Sequence, residues 1–274
     1  MKTISDHLIC AAIVPGLPHI MQADLNEGYR SLVDACEKLG DELAQRGVQR
    51  IVYYSTQWLS VLGQSFQARA ELKGHHVDEN WHDFANLDFD FRVDTDFAKA
   101  MAAGAENNGF QTKLINYDGF PVDTGTIIAD RFLNKGRFIT NMVSSCVYSD
   151  NAETEKLGAV VRNAIDESAV PTAVVGVSML SGRFFTTEID LREDHIRDES
   201  DDAWNRRMLD WFENGEFSKI DENLAGFCSE TKADMGFKAY SFIKGTGACQ
   251  ENNRSHVMAY GAIYGTGAAV LEIN

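Results

Sequence analysis

No stretch rich in proline, glycine or serine cuts the 274-residue chain, and it holds no internal repeat or low-complexity tract. That absence excludes a string of small modules and leaves a single domain over residues 1–274. Cysteine is scarce as well. Cys10, Cys36, Cys146, Cys228 and Cys249 are scattered, odd in number and without a Cys-x-x-Cys pair, which excludes a disulfide framework and is the usage of a reducing compartment. Long apolar runs are missing too. The first, "LICAAIVP", spans roughly eight residues before a proline, too short to cross a membrane, and the stretch ahead of it has one lysine and no small-residue cleavage site. A cytoplasmic location is therefore expected. Basic residues are few, 25 against 41 acidic ones, for a net charge of -16. So acidic a surface repels phosphate backbones and anionic headgroups, and neither nucleic acid nor membrane is an expected partner.

Two common catalytic signatures are absent. "GTGA" and "YGTGAA" lack both the spacing and the strand-to-helix order of a dinucleotide loop, and "VSMLSG" around Ser178 is not a nucleophile elbow. What is present is material for a core, 44% hydrophobic residues and 10% aromatics. Strand-like and helix-like stretches alternate. "LICAAIVP" is followed by Leu25, Tyr29, Leu32, Cys36, Leu39 and Leu43 on one helical face; "RIVYYST" reads as a buried strand ending at a polar corner, and "SFQARAEL" as one further strand. "GHHVDENWHDFANL" reads as a Gly-led loop, "FDFRVD" as a strand feeding a helix near Thr95, "TAVVGVS" as the most buried strand, "ADMGFKAYSFIKGTGA" as a helix, and the tail as two strands around a Gly-rich turn. The rhythm predicts an α/β fold: one domain with a central, largely parallel mixed sheet flanked by helices.

In such a fold the carboxyl ends of the strands carry the site. Those corners offer Gly16, His19, Gln57, Asp123, Thr124 and Met179, a pocket without a nucleophile, a base or a complete ligand set. His75, His76 and His82, with Asp78 and Glu79, form a separate cluster whose imidazoles and carboxylates suit zinc or iron. Adjacent residues on an extended segment point to opposite sides, however, so only one of His75 and His76 can join His82.

The corners "VPGLPHI", "STQWLS", "FPVDTGT" and "VGVSML", the "GHHVDENWHDF" loop and the closing "YGAIYGTGAAVLEIN" resemble, over nearly the whole chain, the class III extradiol ring-cleaving dioxygenases, the superfamily of protocatechuate 4,5-dioxygenase catalytic subunits. Catalytic members of that family hold Fe(II) with two histidines and a glutamate. The resemblance places Gly16 and Gln57 where those histidines stand and Lys238, in "GFKAYSFIKGTGA", where the glutamate stands. It likewise puts Thr124 and Met179 in place of two histidines of the family's turns, and neither side chain shuttles protons near neutral pH. Within the family the pattern most resembles that of the iron-free alpha subunits of the two-subunit members that open 2-aminophenol to 2-aminomuconic semialdehyde. The resemblance thus implies a chain with no catalytic residue and no metal of its own, paired in a hetero-oligomer with a homologous catalytic beta subunit that carries Fe(II). Two other readings stay open: an active metal-dependent dioxygenase or hydrolase built on His19 and the His75, His76 and His82 loop, and a stand-alone small-molecule binding protein.

Overall fold

Helix after helix begins on a side chain that accepts hydrogen bonds from the first turn. Asn26 caps α1 (Glu27–Gln45), Asp94 caps α2 (Thr95–Asn107), Asp123 caps α3 (Thr124–Leu133), Asp150 caps α4 (Asn151–Ser168) and Asp198 caps α5 (Glu199–Asn214). Each such cap is worth about 1 kcal/mol. Two helices lack one: α6 (Phe217–Thr231) and α7 (Lys238–Gly245) start without a side-chain cap. The computed structural model describes residues 7–84, 87–117, 122–251 and 253–273. Ala85 and Asn86 of the loop, and Phe120 and Pro121 of the "FPVDTGT" turn, lie outside the described residues.

The described residues also form ten strands: β1 (Leu8–Val14), β2 (Arg50–Ser60), β3 (Gln64–Gln67), β4 (Glu71–His76), β5 (Leu87–Arg92), β6 (Thr112–Ile115), β7 (Ile139–Cys146), β8 (Thr172–Val177), β9 (Ser255–Ile263) and β10 (Thr266–Ile273). Eight form one sheet in the order β6-β3-β7-β2-β8-β1-β10-β9, while β4 and β5 pair as a separate antiparallel hairpin. β7, β2, β8 and β1 are parallel, and β10 and β9 add on antiparallel. The expected α/β domain with a largely parallel mixed sheet is what the chain adopts. Side chains alternate across the sheet. Leu8, Ala11 and Ile13 of β1 join a core with α2, α4 and the helices α5 to α7, while Cys10, Ala12 and Val14 join a second core with α1 and α3.

Register then fixes the site. Ser55 of β2 and Val14 of β1 both stand level with Val177 of β8, so the residues after Val14, Ser55 and Val177 emerge at one rim of the sheet. Three local expectations need correction. β2 does not stop at its polar corner: its pairing with β7 jumps from Ser55–Ser144 to Leu59–Ser145, so Thr56, Gln57 and Trp58 bulge out before the strand resumes. "SFQARAEL" is not one strand but the end of β3, a break, and the start of β4. "GHH" opens no loop: Gly74, His75 and His76 pair with Phe89, Asp88 and Leu87. Among the described residues no helix is long and apolar enough to cross a membrane.

Candidate functional site

The rim is built around Gly16. Gln57, on its bulge, turns its amide inward and donates from Nε2 to the Gly16 carbonyl at 3.2 Å. The Gly16 backbone also packs against the start of α3: a Cβ there would lie 2.6 Å from the Gly125 Cα and 2.6 Å from the Val177 Cγ1. Contacts that short do not exist, so the position admits no side chain without movement of α3 or β8. Beneath it, Asp123 accepts from the Ser55 hydroxyl at 2.6 Å and from the Thr126 hydroxyl and N–H at 2.6 and 2.9 Å. Burial pushes the Asp123 carboxyl above the ordinary range while those hydrogen bonds oppose the shift. It is a cap and a brace, with its acceptor capacity spent.

The histidines separate. His75 faces outward to Asp88 at 2.9 Å, and His82 and Glu79 are exposed. His76, on the opposite face of β4, reaches Thr124 Oγ1 at 3.1 Å through Nε2. The Thr124 hydroxyl in turn donates to Asp78 Oδ2, and Asp78 Oδ1 accepts the N–H groups of Asn80 and Trp81 at 2.8 and 2.9 Å. Burial works against the Asp78 carboxylate, yet the bonds from Thr124, Asn80 and Trp81 and the nearby His76 hold it below the ordinary range. His19 is only 1% exposed, in a box of Trp81, Phe84 and Tyr264 with ring centroids at 4.4, 4.8 and 4.7 Å. Neither of its ring nitrogens has a hydrogen-bond partner, and burial pushes its pKa down to about 4. Among the described residues no three His, Cys, Asp or Glu side chains are grouped to hold a metal ion. The reading that joined His19 to His75, His76 and His82 is therefore corrected: the pleat of β4 sends its two histidines apart, and aromatic rings wall off His19.

Met179 belongs to a neighbouring cluster that Asp234 organises. The Asp234 Oδ2 accepts the Thr56 hydroxyl at 2.6 Å, the Met179 N–H at 3.1 Å and the Ser178 hydroxyl at 3.2 Å, tying the carboxyl ends of β2 and β8 to the turn before α7. Burial raises its pKa against those three bonds. "ADMGFKAYSFIKG" is accordingly not one helix, since Met235, Gly236 and Phe237 all have positive φ (48°, 66° and 55°) ahead of α7. Lys238 opens α7, is 6% exposed, and donates from Nζ to the Cys146 carbonyl at 2.9 Å. Burial lowers its pKa, with Cys146, Asp150 and Glu153 pulling the other way. Among the described residues no hydrogen bond or ion pair joins it to Gly16 or Gln57. No motif points to Asp234, buried in a stretch with helical spacing, or to Tyr264, whose φ of 50° in the β9–β10 turn aims its ring at His19.

Chemically the rim offers an engaged amide, a hydroxyl, a thioether and an ammonium. These do not fit Fe(II): a glycine has no donor atom, a neutral amide already donating is a poor ligand, and an ammonium repels a dication. Against known proteins, residues 8–271 match the family described as the catalytic LigB subunit of aromatic ring-opening dioxygenase. The chain is 36% identical over 272 residues to the 2-aminophenol 1,6-dioxygenase alpha subunit of Pseudomonas sp, covering 97% of this chain and 99% of that one. To the beta subunit from Pseudomonas sp it is 23% identical over 288 residues, covering 97% and 94%. An uncharacterized protein of Escherichia coli K12 shares the fold, with a TM-score of 0.61 at 14% identity over 89% of this chain and 92% of that one.

Proposed function

The chain belongs to the LigB family of class III extradiol dioxygenases, and from that membership we propose that it is the iron-free alpha subunit of a two-chain enzyme that opens the ring of 2-aminophenol, with Fe(II) and the chemistry in a homologous beta subunit. The observation that carries this reading is the closed corner at Gly16. Where the resemblance sets the first iron-ligating histidine, the backbone is pressed against Gly125 and Val177 and the Gln57 amide caps its carbonyl. Supporting it, the chain is similar along almost its full length to both subunits of a two-subunit dioxygenase. In this reading Gly16, His19, Gln57, Thr124, Met179 and Lys238 are relics of a site, and none of them acts on substrate. The product is 2-aminomuconic semialdehyde, released by the partner's centre.

The test is anaerobic loading of the purified chain with Fe(II), followed by desalting and elemental analysis. With no ligand set to pay for desolvating the ion, retention is expected below about 0.1 iron per chain. One tightly held iron per chain would overturn the reading. Co-expression with a catalytic homologue should then give a single mixed species in native mass spectrometry that holds iron and turns over 2-aminophenol.

A further inference from the structure

The segment from His76 to Phe84 leaves the β4–β5 hairpin and comes down on the emptied corner at two points. At one, the Thr124 hydroxyl accepts from His76 Nε2 and donates to Asp78, whose other oxygen gathers the Asn80 and Trp81 N–H groups into a tight turn. At the other, Trp81 and Phe84 press edge-on against His19, and Tyr264 closes the box. The two points cooperate, because the turn that Asp78 ties is the one that presents Trp81. The cost is visible on the opposite side: a buried imidazole with both nitrogens unpartnered, each an unmet hydrogen bond that only water or a ligand could supply.

We propose that residues 76–84 are a strap that shuts the corner in this chain, that Thr124 is its lock, and that opening it uncovers His19 to solvent and to small polar molecules. This rests on the reading of the corner as an emptied site, but it concerns this chain alone and its readouts need neither iron nor the partner. One hydroxyl carries the lock because it is both acceptor and donor, so valine, of the same shape, removes both bonds at once. His75, exposed and paired with Asp88, and His82, exposed beside Asp83, take no part.

The experiment compares the full-length chain with Thr124→Val and, since Thr124 is buried at the start of α3, with Asp78→Ala, whose change lies on the strap itself. Amide hydrogen exchange at Asn80 and Trp81 is followed together with carbethoxylation of His19 by diethyl pyrocarbonate. In both variants exchange at the two amides should rise at least about tenfold, and His19 should pass from protected to reactive, while α3 and the central strands exchange as before. Because Asp78→Ala itself removes the acceptor of both amides, unchanged exchange in Thr124→Val, or a still protected His19 in both variants, would overturn the lock. Acceleration spread over α3 and the sheet in both would overturn it equally, since the hydrogen bonds would then hold the domain rather than a strap. Should the iron-free reading fail while these results hold, the strap stands as the lid of a different site.

Discussion

A single missing side chain decides the character of the corner. Gly16→Ala inserts a methyl where 2.6 Å separates the ideal Cβ from both Gly125 and Val177, and overpacking of this kind costs about 1–3 kcal/mol; chemical denaturation of the purified variant checks it. The same geometry bears on restoring a metal site, because Gly16→His, Gln57→His and Lys238→Glu together still leave α3 in the way. His19 gives a second residue-level prediction. Its imidazole titrates near 6.5 when exposed and near 4 when folded, so between those values the unfolded chain binds more protons. The stabilisation is complete above about pH 6.5 and is lost as the pH falls toward 4, on the order of 3 kcal/mol in all. Asp130 runs in the opposite sense: burial raises it from 3.8 to about 6, so its folded form gains protons first and acidification favours it. The difference between the parent and His19→Phe stability curves isolates the histidine. That difference should change steadily from pH 6.5 to 4 and be flat above pH 7; a difference constant over the whole range would contradict the buried, unpartnered state of the ring.

Elements were legible where pattern and cap agreed and illegible where pairing at a distance decided. The apolar face from Tyr29 to Leu43 and the wholly buried β8 read directly as helix and strand. α6 passed unread because Glu216 gives no capping bond and its buried positions, Phe217, Ile220, Phe227 and Thr231, leave a gap in the helical spacing. "SFQARAEL" looked continuous because alternation is the same on both sides of a break, and only partners far along the chain, Val143 for β3 and Phe91 for β4, part it in two. The candidate site is legible in the same uneven way. Gly16, Gln57 and Thr124 do converge at the rim, through Gly125 and the Gln57 amide, but Lys238 is tied to Cys146, and the carboxylate that anchors the neighbouring cluster, Asp234, carried no motif. Asp234 offsets the strain of Met235 and Phe237, whose left-handed backbone costs about 1–2 kcal/mol each. Asp234→Ala leaves the buried Met179 N–H without its acceptor, for a loss of about 2 kcal/mol. Amide exchange at the start of α7 should accelerate more than in α4. Equal protection in parent and variant would show that helix packing alone holds α7 in place.

At the scale of the molecule, the proposed alpha-subunit reading places the value of the fold in its surface and its partner rather than in a metal corner. On that reading the sheet, the caps and both cores serve assembly, and stable subunit pairs bury extensive, well-packed interfaces. The chain's acidity, a net charge of -16, favours solubility until that surface is covered. The central claim is that ring opening belongs wholly to the partner, and turnover of 2-aminophenol by the assembled complex carrying Lys238→Met tests it most directly, because Lys238 is the one cation among the three positions that the proposed reading sets against the family's iron ligands. The account predicts a rate within about threefold of the parent complex, roughly 0.65 kcal/mol in the barrier, with iron content unchanged. A loss beyond about a hundredfold, roughly 2.7 kcal/mol, in a complex still assembled and still holding its iron, would contradict it.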